Sequence, residues 1–158
     1  MEAYAMTVTF CGHAQFSESE EYEQRILAFL EEKIGNQPAD LLLGGYGSFD
    51  SFAYYCCKKF KETHPKVMLI LVTPYPTSEY QKSPPNREKT AYDFIIYPGI
   101  EDKPKRFAIV YRNQYMVKKA DYVVAYVSHR WGGAYTTYKY AQRKGKEIFN
   151  LANFMVTN

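Results

Sequence analysis

Four short segments of this sequence bring together residue types that do chemistry. They are Cys11-Gly12-His13, Gly44-Gly45-Tyr46-Gly47-Ser48, Thr73-Pro74-Tyr75, and the run from Ser128 to Thr137 that contains Trp131-Gly132-Gly133-Ala134. Each follows an apolar, β-prone stretch. In an open parallel sheet ligands bind beyond the carboxyl ends of the strands, so all four segments fall where a ligand would sit. Two of them carry glycine pairs that open a helix. Glycine lets backbone N–H groups approach an anion closely, and the helix N-terminus adds a favourable dipole. A tight turn needing positive φ would explain either pair alone; two such turns in one crevice point to phosphate.

Standard nucleotide fingerprints nevertheless fail. There is no G-x-x-x-x-G-K-S/T segment, and Gly45-Tyr46-Gly47-Ser48-Phe49-Asp50 starts like G-x-G-x-x-G but has Asp50 at the third glycine. It also follows the second strand, where the usual fingerprint follows the first. A carboxylate there suits a sugar hydroxyl or a base amine better than a phosphate, and equally suits the first turn of a helix. Further along, Arg112 and Asn113 lie within a helix. If Ala108, Tyr111, Tyr115 and Val117 define its packing faces, Arg112 can still turn its guanidinium fork toward a phosphate in the crevice. His13 sits directly after Gly12, where a neutral imidazole can meet a ligand or make a structural hydrogen bond, and His129 can line the crevice beside Trp131. Histidines this few and scattered make no metal site, and no cofactor is expected.

The elements that must hold these residues follow from hydrophobic pattern. Met6 to Cys11, Leu41 to Leu43, Val67 to Val72, Phe94 to Tyr97, Asp121 to Val127 and Ile148 to Leu151 read as strands. Helices are expected over Glu20 to Ile34, Phe49 to Glu62 with Ser48 as N-cap, Lys105 to Lys119 and Gly133 to Lys144. The strand runs are nearly all apolar and do not alternate, which requires burial on both faces. The expected architecture is therefore α/β: a Rossmann-like, doubly wound, mainly parallel sheet flanked by helices, in a single domain over residues 1–158. Thr73 to Ala91, with Pro74, Pro76, Pro84 and Pro85, is the least regular stretch and reads as a long loop of the functional or mobile kind.

Composition bounds the function. A length of 158 residues with 46% apolar and 23% charged side chains fits a packed domain and excludes disorder. No apolar run approaches the roughly 18 residues that a bilayer span needs, and the first ten residues lack the pattern of a secretory signal. With Cys11, Cys56 and Cys57 expected as reduced thiols, a cytoplasmic protein is expected, with no membrane partner. The formal charge of +3 is modest and argues against a nucleic-acid partner, leaving clusters such as Lys103, Lys105 and Arg106 as solvated surface. The 16 tyrosines suit ligand pockets and subunit interfaces.

Taken together, Gly12-His13, Gly44-Gly45-x-Gly47-x-x-Asp50, Arg112-Asn113-x-x-Met116, Ala120-Asp121 and Gly132-Gly133-x-x-Thr136 resemble the SLOG superfamily. That superfamily includes the "Lonely guy" phosphoribohydrolases and the DNA-processing protein Smf/DprA. The similarity runs from Thr7 to Leu151 and looks closest to small stand-alone proteins of Firmicutes and their phages. It implies a nucleotide or ADP-ribose pocket and association into dimers or larger assemblies. By position, Gly44, Gly45 and Gly47 would line the pocket floor, Arg112 would hold phosphate, and Gly132, Gly133, Thr136 and Thr137 would form a second cradle. The phosphoribohydrolases carry P-G-G-x-G-T-x-x-E; here Trp131 replaces the proline, Tyr135 the third glycine and Lys139 the glutamate. An ammonium cannot replace the carboxylate that stabilises an oxocarbenium-like centre. The expected function is therefore non-catalytic binding of an ADP-ribose-derived or cyclic nucleotide signal. The chain would sense it, or sequester it in a bacterial host cytosol as a phage anti-defence sponge, with no room for an effector domain. The alternative is a nucleotide N-glycosidase using Asp50 as its carboxylate and Arg112 as its phosphate anchor.

Overall fold

The computed structural model describes residues 5–75 and 92–152. Within them the strands are β1 (Met6–Gly12), β2 (Ala39–Leu43), β3 (Val67–Val72), β4 (Phe94–Ile96), β5 (Tyr122–Tyr126) and β6 (Glu147–Asn150). The helices are α1 (Glu20–Lys33), α2 (Ser48–Thr63), α3 (Ala108–Lys119) and α4 (Gly133–Arg143). The six strands form one sheet in the order β4-β3-β2-β1-β5-β6, and every neighbouring pair is parallel. The doubly wound α/β architecture is the one the apolar runs require.

Both faces of the sheet are covered, which is why its strands do not alternate. On β1, Val8 and Phe10 join the core under α1 and α2, with Ile26, Leu30, Phe52 and Phe60. Cys11, with Val123 and Ala125 of β5, joins the opposite core against Val117, Tyr138 and Ala141 of α3 and α4. Each fully buried large apolar side chain contributes about 1.5–3 kcal/mol. The buried thiols belong to this packing: Cys11, Cys56 and Cys57 are all unbridged. Among the described residues, no helix is long and apolar enough to cross a membrane.

The differences from expectation lie at element starts. Residues Lys105–Phe107 form a 3-10 turn, and α3 begins only at Ala108 because Phe107 leaves the helical range at φ −108°, ψ 11°. The N-cap of α2 is Gly47, not Ser48: the chain enters at φ 89°, a conformation that suits glycine, and Ser48 becomes the first helical residue. Of the expected loop from Thr73 to Ala91, residues 76–91 lie outside the described residues.

The strand order also fixes where a ligand fits. β1 lies between β2 and β5, and the chain runs outward from β1 in both directions. Connections leaving β1 and β5 therefore part to opposite sides of the sheet and open a crevice at their carboxyl ends.

Candidate functional site

A crevice of about 810 Å³ opens at that position. One wall is the segment after β1, from Gly12 to Ser17; the other runs from Ser128 through Trp131 into the first turn of α4. Its floor comes from Tyr46 and Asp50 at the start of α2 and from Arg112, Asn113 and Met116 of α3. Of the residues expected from sequence, it brings together Cys11, Gly12, His13, Tyr46, Asp50 and Arg112 with Asn113, Trp131, Gly132, Gly133, Ala134 and Thr137. Gly44, Gly45, Gly47, Ser48, Tyr75 and Thr136 are not part of its lining. Tyr126, Phe16 and Ile109 line it too, although nothing in the motifs marks them. For Tyr126 one signal existed, its position as the last residue of β5 beside Gly12.

The floor is built around a buried cation and a half-buried anion. Arg112 lies on the inward face of α3 with Ala108 and Met116, at helical spacing, and is only 2% exposed. Its Nη1 donates to the carbonyls of Gly44 (2.8 Å) and Val72 (2.9 Å), and its Nε to Oδ1 of Asn113 (2.8 Å). Glycine at 44 gives this approach room, since a Cβ there would stand 3.1 Å from the guanidinium carbon and 3.2 Å from Asp50 Oδ2, and both side chains would have to give by a few tenths of an ångström. Asp50 accepts the Tyr46 N–H at 2.9 Å. Burial pushes its carboxyl up to about 6, against the pull of that N–H and of Arg112. Cys11 beside it is no nucleophile: burial first, then the Asp50 charge, pushes its thiol up to about 12.

The wall is a column of rings. His13 is buried, and its Nε2 accepts the Ser128 N–H at 2.9 Å, which places the imidazole proton on Nδ1. His129 stacks on it with centroids 3.6 Å apart, and Trp131 stacks on His129 at 3.8 Å. Burial, then His129, lowers the His13 pKa, so the inner ring stays neutral. Trp131 ends the column and is 69% exposed.

The two glycine-opened helix starts differ in occupancy. At α2, Ser48 donates its N–H and hydroxyl to Ala14 O and accepts the Phe16 N–H, so the protein's own loop closes the terminus. At α4, a Cβ on Gly133 would meet nothing within 4 Å, and one on Gly132 would reach only His129 at 4.0 Å. The first-turn N–H groups of a helix have no intrahelical acceptor, so this terminus offers donors to the crevice. The Thr136 and Thr137 hydroxyls turn back along α4 to the carbonyls of Gly132 and Gly133.

No protein-family model matches the chain. A UPF0398 protein of Halalkalibacterium halodurans is 30% identical over 107 residues, 63% of this chain; the match spans about half, 53%, of that relative. DNA processing protein A (DprA) of Streptococcus pneumoniae superposes with a TM-score of 0.61 at 15% identity, over 96% of this chain and 52% of that one. DprA of Helicobacter pylori, characterised for its single-stranded DNA binding mode, gives 0.60 at 18% identity over 97% of this chain and 68% of that one.

The chain has the DprA fold. Its DprA neighbours agree in fold with the Smf/DprA resemblance that the motifs carry. They also correct one expectation. Modest net charge was to argue against a nucleic-acid partner, but a DprA neighbour binds single-stranded DNA on this fold. Single strands are gripped by base stacking and local backbone contacts as well as by charge, so the net charge of +3 does not exclude them.

Proposed function

We propose that the crevice binds a phosphorylated nucleoside without transforming it, its phosphate resting on the first turn of α4. The observation that carries this reading is the open α4 terminus. Gly132 and Gly133 leave its N–H groups uncovered, facing a crevice large enough for a small-molecule ligand. An ADP-ribose-derived or cyclic nucleotide, sequestered or sensed by a homo-oligomer, is the ligand class this reading favours. Lys139, in the position of the phosphoribohydrolase glutamate, supports binding without hydrolysis and stands outside the crevice lining. A second reading is favoured by the Helicobacter pylori DprA neighbour: the nucleotide unit belongs to a single DNA strand.

Thermal unfolding against AMP, ADP-ribose, NAD and cyclic ADP-ribose isomers, with an oligothymidylate arm, tests both. A ligand bound by the folded state alone stabilises it by about 2.7 kcal/mol at 100 times its dissociation constant. Stabilisation with the ligand recovered intact by chromatography is expected. Release of free base, abolished by Asp50→Asn, would replace this reading with N-glycosidase chemistry. Stabilisation by the oligonucleotide alone would favour the second reading.

A further inference from the structure

We infer that the outer face of Trp131 is the stacking platform for the ligand's nucleobase, backed by His129 and His13. This deepens the nucleoside-phosphate reading and rests on it. A large aromatic ring that is 69% exposed loses apolar burial unless something covers it. Here the indole is also held in place. His129 lies 19° from parallel beneath it, and His13 lies 10° from parallel beneath His129, anchored by the Ser128 N–H. One face of the indole is thus taken by the protein, and the ring stands ordered before any ligand arrives. A preorganised ring saves the ordering entropy that a mobile side chain would lose on binding.

The identity of the occupant follows from what adjoins the ring. Trp131 immediately precedes Gly132, the N-cap of α4, so the platform and the open anion-binding turn are consecutive in the chain. A ligand that uses both carries a flat π-system a short linker away from an anion, the layout of a nucleotide. Stacking reads the flat face common to all bases, so the platform prefers an aromatic base without selecting one strongly. Free nucleotides and single-stranded DNA present the same chemistry to it.

Trp131 is the single tryptophan of the chain, so its emission reports the platform directly. Titrations use AMP, adenosine, ribose 5-phosphate and an oligothymidylate, with binding followed in parallel by calorimetry. AMP is expected to quench the indole, whereas ribose 5-phosphate binds without quenching. Trp131→Ala should weaken AMP about ten-fold or more, with Trp131→Phe recovering most of the loss and ribose 5-phosphate unaffected by either. Undiminished AMP affinity in Trp131→Ala would overturn the platform and leave the phosphate reading intact. Quenching by adenosine equal to that by AMP would keep the platform and remove the phosphate site. Quenching by the oligonucleotide but not by AMP supports the platform and assigns its base to a strand. Absence of binding by all four probes overturns both.

Discussion

Helices α2 and α4 begin in nearly the same backbone geometry and end in opposite states. Gly47 caps α2 at φ 89°, ψ 171°, and Gly132 caps α4 at φ 90°, ψ 174°. The first turn of α2 carries its own anion, Asp50, and is covered by the Ala14–Phe16 loop through Ser48. The first turn of α4 has no acidic residue and no such cover. The same entry geometry therefore serves assembly at one helix and remains available to a ligand at the other. An anion site is a turn plus a vacancy, and only the second half distinguishes these two.

The largest expected effect separates the two caps by stability. Both glycines hold a conformation that costs an alanine about 1–3 kcal/mol. At Gly47 the new Cβ would also meet Ala14 Cα at 2.8 Å, a backbone neighbour that cannot turn aside. Urea unfolding should therefore show Gly47→Ala losing about 3 kcal/mol or more, and Gly132→Ala only the backbone strain of about 1–3 kcal/mol. Equal losses would mean that the Ala14 loop does not clamp α2.

Next in size is the internal anion of α2. The Asp50 carboxyl sits at about 6 in the fold against 3.8 ordinarily, so between those values the folded chain holds a proton that the unfolded chain has released. Its stabilising protonation is complete below 3.8 and is lost as pH rises through about 6. Asp50→Asn escapes that loss. Its stability relative to the unmutated protein should rise by about 2 kcal/mol between pH 4.5 and pH 7.5, measured by denaturant titration at each pH. A difference independent of pH would show that Asp50 is ionised at ordinary acidity in the fold.

The smallest effect on stability is the sharpest on binding. Gly133→Asp places a carboxylate at the start of α4, where space is open and the dipole favours it by about 0.3–1 kcal/mol. The variant should melt no lower than the parent while AMP binding, read by calorimetry, is lost. Retained affinity would move the phosphate away from α4.

The unbroken apolar runs Val67 to Val72 and Tyr122 to Val127 were enough to require a sheet buried on both faces, because no alternating strand could carry them. Gly47 and Gly132 marked the helix starts for a similarly local reason: φ near +90° suits glycine. Side-chain placement was less legible. Arg112 was read as reaching toward a phosphate, yet three of its bonds hold the carbonyls of Gly44 and Val72 and the Asn113 amide together. Ser48 looked like a cap and instead ties α2 to the loop after β1.

What the sequence determined by itself is local: backbone conformations that demand glycine, apolar continuity that demands a covered sheet, and from these a crevice at the strand ends. Which glycine turn stays open was decided only by tertiary structure. The Ala14–Phe16 loop comes from the end of β1 to fill one turn, and nothing described arrives at the other. The stack of His13, His129 and Trp131 has the same origin. Its rings come from loops far apart in the chain and meet because β1 and β5 are neighbours in the sheet. Strand adjacency of that kind is a property of the whole packing, since no short stretch of sequence encodes which strand will lie beside it.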